Sequence, residues 1–148
     1  MSSYKVEVSQ VMSASAKSIY AVLSDYKVGH LAILPKPYFT GMSVERGGQG
    51  AGTVVVVNMR VMGAQSTYRL EVTEPHRGRV LQEVDRQTGI RTRFILEPQA
   101  DGACKVTIAS EFRGKPGLSG FVERLVNPPI TRRIYRKELN NLADYLRH

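Results

Sequence analysis

The sequence predicts an α+β domain: one N-terminal strand, two short helices, six further antiparallel strands and a long terminal helix. Three observations carry that reading. Tyr4-Lys5-Val6-Glu7-Val8-Ser9 alternates polar and apolar residues, the period of a half-buried strand. From Tyr38 to Arg113, runs of the same period are separated by Gly, Pro and Asp turn signals at short intervals, the pattern of a meander. After Gly117 the apolar spacing becomes helical and stays so to the end.

The chain has 148 residues, enough for one domain and too few for two with proper cores. Apolar residues make up 42% and charged residues 23%, values of a globular protein and not of a disordered tail. No apolar stretch approaches the ~20 residues of a membrane span. The N-terminus, MSSYKVEVSQ, reads as strand and not as a secretion signal. A single cysteine, Cys104, excludes an internal disulfide and a multi-cysteine metal site. The expectation is a soluble, cytoplasmic, single-domain protein. Its formal charge is +8, and residues 75–148 hold most of the surplus.

The elements follow in order. Strand one ends near Met12, and Ser15 is placed to cap a helix through its hydroxyl. Ile19, Val22, Leu23 and Tyr26 then share one helical face. Gly29, Pro35 and Pro37 allow only a short second helix. Strands are expected at Tyr38–Arg46, Thr53–Met62, Gln65–Glu74, Arg79–Asp85, Arg91–Glu97 and Ala103–Arg113. They are divided by GGQGAG at 47–52, Gly63, Pro75 with Gly78, Gly89, and the hairpin signal Asp101-Gly102. Leu118, Phe121, Val122 and Leu125 form one helical stripe, and Tyr135, Leu139, Leu142 and Leu146 another. Between them stands Asn127-Pro128-Pro129. Two prolines remove two backbone donors, which predicts a short helix, a sharp kink, and a longer helix restarted with Asn127 as its cap.

This order resembles the START/Bet v 1-like (SRPBCC) superfamily, in its polyketide cyclase/dehydrase and lipid transport branch. The segments that carry the resemblance cover nearly the whole chain: SASAKSIYAVLSDY at 13–26, GGQGAGTVVVV at 47–57, YRLEVTEPHRGRVLQEV at 68–84, LEPQADGACKVTI at 96–108 and KELNNLADYLRH at the end. The resemblance implies a helix-grip fold, a curved seven-stranded antiparallel sheet wrapped around the terminal helix. Two features depart from the family. There is no tryptophan near the short second helix, where His30-Leu31 stands, and the double proline falls in a helix that is commonly continuous.

The resemblance further implies a cavity between the concave face of the sheet and the helix. Its expected wall is Val57, Met59 and Val61 on one strand, Tyr68 and Leu70 on the next, Phe94 and Leu96, then Ile108, Ser110 and Phe112, with Phe121, Leu125, Tyr135 and Leu139 from the helix. His30, Leu31, Arg132 and Arg136 are expected at its mouth. The implied function is binding, with transport, of a small hydrophobic molecule such as a lipid, polyketide or quinone. A cyclase/aromatase-type enzyme is the alternative, with Tyr68 as the candidate proton donor. A lipid or quinone chaperone that meets anionic membranes or an acidic partner through the basic terminal helix is the second.

Other chemistries find little footing. His30, His76 and His148 lack metal-ligand spacing, and neither a metal nor another cofactor is indicated. GGQGAG lacks a following Lys and leads into a strand, so it reads as a turn and not a phosphate cradle. Cys104 reads as a small buried hydrophobe. Glu83 and Asp85 share a strand face; inward they would form an acid/base pair, but a solvated outer face is expected. Nucleic acid is not indicated, since no recognition motif is present and aromatics do not interleave with the basic residues.

Overall fold

The computed structural model describes residues 3–114 and 117–147, and for 117–126 the backbone alone. The elements are β1 (Ser3–Met12), α1 (Ala16–Ser24), α2 (Gly29–Ile33), β2 (Phe39–Arg46), β3 (Val54–Val61), β4 (Ala64–His76), β5 (Val80–Val84), β6 (Arg91–Pro98), β7 (Cys104–Arg113) and α3 (Gly117–Leu146). The sheet order is β1-β7-β6-β5-β4-β3-β2, antiparallel throughout. Each neighbour after β1 is reached by a short reversal, while β1 joins β7 by closing across the start and end of the meander. None of the described helices is long and apolar enough to cross a membrane.

Local chemistry explains most boundaries. The Ser15 hydroxyl accepts from the Ser18 N–H at 3.1 Å, capping α1 as its sequence position predicts. At the β6–β7 reversal, Asp101 and Gly102 adopt φ of 61° and 73°, the left-handed region that this pair tolerates. Strand β4 does not stop at Pro75, as expected from the sequence. It continues to His76 through a register shift against β5 between Thr73 and His76, and a bulge is where a strand tolerates a residue without an N–H.

The terminal helix also departs from expectation. Instead of a short helix and a restart at Asn127, α3 runs as one helix from Gly117 to Leu146 with Pro128 and Pro129 inside it. Asn127 is otherwise engaged: its amide donates to the Tyr4 hydroxyl at 2.7 Å, and its Oδ1 accepts from the Thr131 hydroxyl at 3.1 Å. These contacts tie the proline turn to β1, so tertiary packing holds a segment whose local chemistry favours a break.

The core lies between the sheet, α1 and the C-terminal part of α3. Ile19, Leu23, Val55, Leu81, Val106, Ile108, Leu139 and Leu142 are almost fully buried there. α2 sits against α1 at short range: a Cβ on Gly29 would lie 2.6 Å from the Val22 carbonyl oxygen, so only glycine permits the approach.

Candidate functional site

The sheet and α3 do not close on each other completely. A cavity of about 240 Å³ remains between them. Its long wall is apolar: Val57, Met59 and Val61 from β3, Tyr68 and Leu70 from β4, and Phe94, Ile108 and Phe112 from β6 and β7. Ile130, Ile134 and Tyr135 of α3 face them. Alternation along each strand places these side chains on one face, which is why the sequence pattern identified them. Interiors are normally packed to near-crystalline density, so an apolar space of this size is a departure from ordinary core packing.

Several expected positions fall elsewhere. Leu96 and Leu139, 2% and 1% exposed, belong to the packed core and not to the cavity wall. Ser110 is buried beside the wall, where its hydroxyl bonds Thr92 at 2.6 Å and also Tyr135. Phe121 and Leu125 lie outside the residues whose side chains are described. Leu31 is exposed. Arg132 and Arg136 flank a separate surface depression with Arg133, Lys137, Pro129 and Asn140, and neither lines the cavity. Tyr68 lines the wall, with no hydrogen-bond partner for its hydroxyl among the described residues.

His30 is not at a rim. It is 2% exposed and forms part of the inner wall, beside two carboxylates. The solvated outer face expected for Glu83 and Asp85 is likewise overturned, since both are buried and line the cavity. The register explains the reversal. Leu81 pairs with Phe94 and Glu83 with Thr92, and directly opposed residues share a face. The inward residue Phe94 therefore carries Leu81, Glu83 and Asp85 inward, leaving Val80 and Val84 on the other side. Glu138 stands one turn from Tyr135 on the inward stripe of α3 and is 4% exposed.

The polar end of the cavity is assembled from four elements. The His30 Nδ1 lies 2.7 Å from the Leu23 carbonyl, which only accepts, so Nδ1 carries the proton and Nε2 is aimed at the carboxylates. Nε2 stands 3.5 Å from Glu83 Oε2 and 3.9 Å from Glu138 Oε2. Tyr26 donates its hydroxyl to Glu83 at 2.6 Å and stacks its ring on His30, centroids 4.3 Å apart. Phe94 meets the imidazole edge-on at 5.3 Å. Burial, and then the charge of Glu83, push the Glu138 carboxyl up to about 8. Burial, and then Glu83, hold the Tyr26 phenol well above its ordinary value. Tyr135 is pushed up to about 12 by burial, against the opposing hydrogen bonds of Ser110 and Thr92. Near neutral pH the cavity thus presents a protonated carboxyl on α3 facing a hydrogen-bonded carboxylate on β5, a donor and an acceptor held at one end of an apolar space.

The glycine turn at 47–52 positions this cluster. The Tyr26 N–H donates to the Gly48 carbonyl, and the Gly50 N–H to the Ser24 carbonyl, both at 2.9 Å. Glu74 accepts from the Ala51 N–H at 2.8 Å and from the Tyr20 hydroxyl at 2.6 Å. Gly50 has a φ of 56°, and a Cβ there would lie 2.5 Å from Glu74 Oε1, so a side chain would break the clasp. Sequence reading identified the turn but not its task, because the bonded partners are more than twenty residues away.

Comparison with known proteins places this architecture. The KanY protein, solved by NMR, is 24% identical over all of both chains, with a TM-score of 0.87. The Zhui aromatase/cyclase from Streptomyces sp. R1128 is 18% identical over 97% of this chain and 93% of that one, with a TM-score of 0.76. Norcoclaurine synthase from Thalictrum flavum, in complex with dopamine and hydroxybenzaldehyde, is 18% identical over 98% of this chain and 87% of that one, TM-score 0.72. At these identities the likeness is one of fold. No curated protein matches the chain. Residues 3–147 match the family described as polyketide cyclase/dehydrase and lipid transport. With the helix-grip sheet, its terminal helix and the cavity between them in place, the chain belongs to the polyketide cyclase/dehydrase and lipid transport family.

Proposed function

We propose that the protein binds a compact, mostly apolar molecule in the cavity between the sheet and α3, with one polar end of that molecule at Glu83, Glu138 and His30. The observation that carries this reading is the cavity itself, about 240 Å³ and walled by β3, β4 and α3 side chains. Ligand pockets generally combine such walls with a few polar groups that fix orientation. Burial of ligand surface supplies the affinity, at roughly 25 cal/mol per Å² of apolar area before the costs of association.

Filling the cavity tests it. Met59 is a partly buried wall residue, so Met59→Trp projects an indole into the empty space without displacing the packed core. Binding of an environment-sensitive apolar dye is expected to weaken at least about tenfold, with the denaturation midpoint little changed. Unchanged dye affinity in a folded variant would remove the cavity as the binding site.

A second reading is favoured by the proton donor and acceptor facing each other across the polar end. In a cyclase-type reaction the apolar wall folds a flexible chain, Glu83 accepts a proton from the carbon or hydroxyl that reacts, and Glu138 returns one to the oxygen where charge develops. The fold likeness to an aromatase/cyclase supports this reading without specifying a substrate. With a polyketide-like substrate, Glu83→Gln is expected to lower kcat by about a hundredfold or more, while KM changes little. Equal falls in Tyr68→Phe and Glu83→Gln would instead assign proton transfer to Tyr68, and an unaffected Glu83→Gln would exclude this reading.

A further inference from the structure

The end of the cavity remote from Glu83 carries exposed apolar surface. Val61 pairs with Ala64 across the β3–β4 turn and both line the cavity, whereas Glu83 pairs with Val72, towards the other end of β4. The turn itself is Met62-Gly63. Met62 is 81% exposed and holds a φ of 52°, followed by Gly63 at 80°. Positive φ at both positions of a two-residue hairpin turn favours Asn, Asp or Gly at the first, so the backbone does not select methionine there. The side chain stands in water beside two wall residues, where the fold gains little burial from it. Leu31 of α2, 44% exposed, stands three residues before Leu34, another wall residue.

The same end is basic. The link between α2 and β2 joins it to α3, since the Arg60 N–H donates to the Tyr38 carbonyl at 2.8 Å and the Lys137 ammonium to the Lys36 carbonyl. Lys137 also lies over the Tyr38 ring, 5.8 Å from its centroid. Arg133, Arg136 and Lys137 are exposed on the outer face of α3. Ile130 and Ile134, one turn before Arg133 and Lys137, line the cavity. Lys36 and Arg60 are exposed as well. Among the described residues no carboxylate forms an ion pair with any of these five cations; the surface carboxylates that do pair hold other arginines.

We propose that this end docks on an anionic bilayer surface, with Met62 entering the interface and Lys36, Arg60, Arg133, Arg136 and Lys137 meeting the headgroups. Charge complementarity selects a polyanion, and the apolar tip selects among polyanions. Against nucleic acid or an acidic protein the methionine would leave water for a polar face, whereas a bilayer offers acyl chains beneath a negative layer. The long Lys and Arg stems keep each charge at headgroup level while the tip goes deeper. Val61 and Ala64 wall the cavity at this same end, which shortens the path through water for an apolar ligand. That last consequence rests on the reading above, that the cavity binds an apolar molecule; the docking itself does not.

The attraction has two separable parts. Each cation near an anionic surface strengthens binding about fivefold, and the gain fades within a Debye length of ~8 Å at physiological salt. Burial of the methionine acts only on contact and does not depend on charge. A surface held by charge alone would bind anionic vesicles and leave the β3–β4 tip in water.

The test uses the full chain with vesicles of phosphatidylcholine alone or with about one-third phosphatidylglycerol. Cosedimentation is expected to show about tenfold or more tighter binding to the anionic vesicles, a preference that vanishes in ~1 M salt. Arg133→Gln combined with Arg136→Gln is expected to weaken that binding about tenfold or more. Its affinity for an apolar dye is expected to hold, because neither residue lines the cavity. The chain contains no tryptophan, so Met62→Trp supplies a single indole. Its emission is expected to shift to the blue on anionic vesicles and not with a soluble polyglutamate peptide. Equal binding to both kinds of vesicle, or an indole emission that vesicles leave unchanged, overturns the proposal. Tighter binding to polyglutamate than to vesicles overturns it too, and assigns the patch to an acidic protein. All three outcomes leave apolar binding in the cavity standing, whereas dye binding that Met59→Trp does not weaken removes the cavity and leaves the docking. Should the double variant fail to fold, the comparison of vesicles on the unaltered chain decides by itself.

Discussion

Glu138→Gln is expected to make the protein more stable than the unaltered chain at pH 8 and above, with the advantage vanishing in mild acid. The Glu138 carboxyl is raised from 4.5 to about 8 in the folded protein, mainly by burial and then by Glu83. Between those values the folded state keeps a proton that the unfolded state has lost. Stability is therefore fully present below about 4.5, declines as pH rises, and levels off above about 8. A shift of this size is worth on the order of 5 kcal/mol across the window, at about 1.4 kcal/mol per pH unit. An amide cannot ionise, so the variant loses that slope. Urea unfolding of both proteins at several pH values across the window checks this. A variant-minus-wild-type difference that stays constant with pH would mean that Glu138 ionises normally in the fold.

Leu23→Ala is expected to lower stability by about 2–5 kcal/mol, a sizeable share of the ~5–15 kcal/mol typical of a whole domain. Leu23 is 0% exposed within the cluster that joins α1 to the sheet, so the neighbours cannot relax into solvent to fill the gap. Its backbone carbonyl also receives the His30 Nδ1 at 2.7 Å. Repacking at Leu23 thus reaches the site through α1, and apolar-dye affinity is expected to fall together with stability. The denaturation midpoint should drop with an unchanged m-value. A loss below about 1 kcal/mol would show that the α1 interface can collapse onto the smaller side chain.

The apolar wall was legible in the sequence because strand periodicity is a local property. Met59 with Val61, and Tyr68 with Leu70, alternate within single strands, and all four line the cavity. Ser15 was legible as a cap for the same reason, since it bonds a residue three positions on. The polar end was not. Tyr26 and Glu83 are fifty-seven residues apart and touch only because the sheet brings β5 under the α1–α2 link. On β5 the local pattern misleads, because Val80 and Val84 offer an apolar face in competition with that of Leu81, Glu83 and Asp85. Only the pairing of Leu81 with Phe94 decides between the two faces.

Sequence alone determined the order of the elements, the turns between them, the helix-grip family and the apolar half of the cavity, since each depends on short-range spacing and backbone preference. Tertiary structure decided the rest. It carried α3 through Pro128 and Pro129, it put His30 on the inner wall, and it buried Glu83 and Glu138 beside each other. The physical reason is common to all three. Burial of a charge or a missing backbone donor is unfavourable locally, and is tolerated only where contacts from distant parts of the chain compensate it.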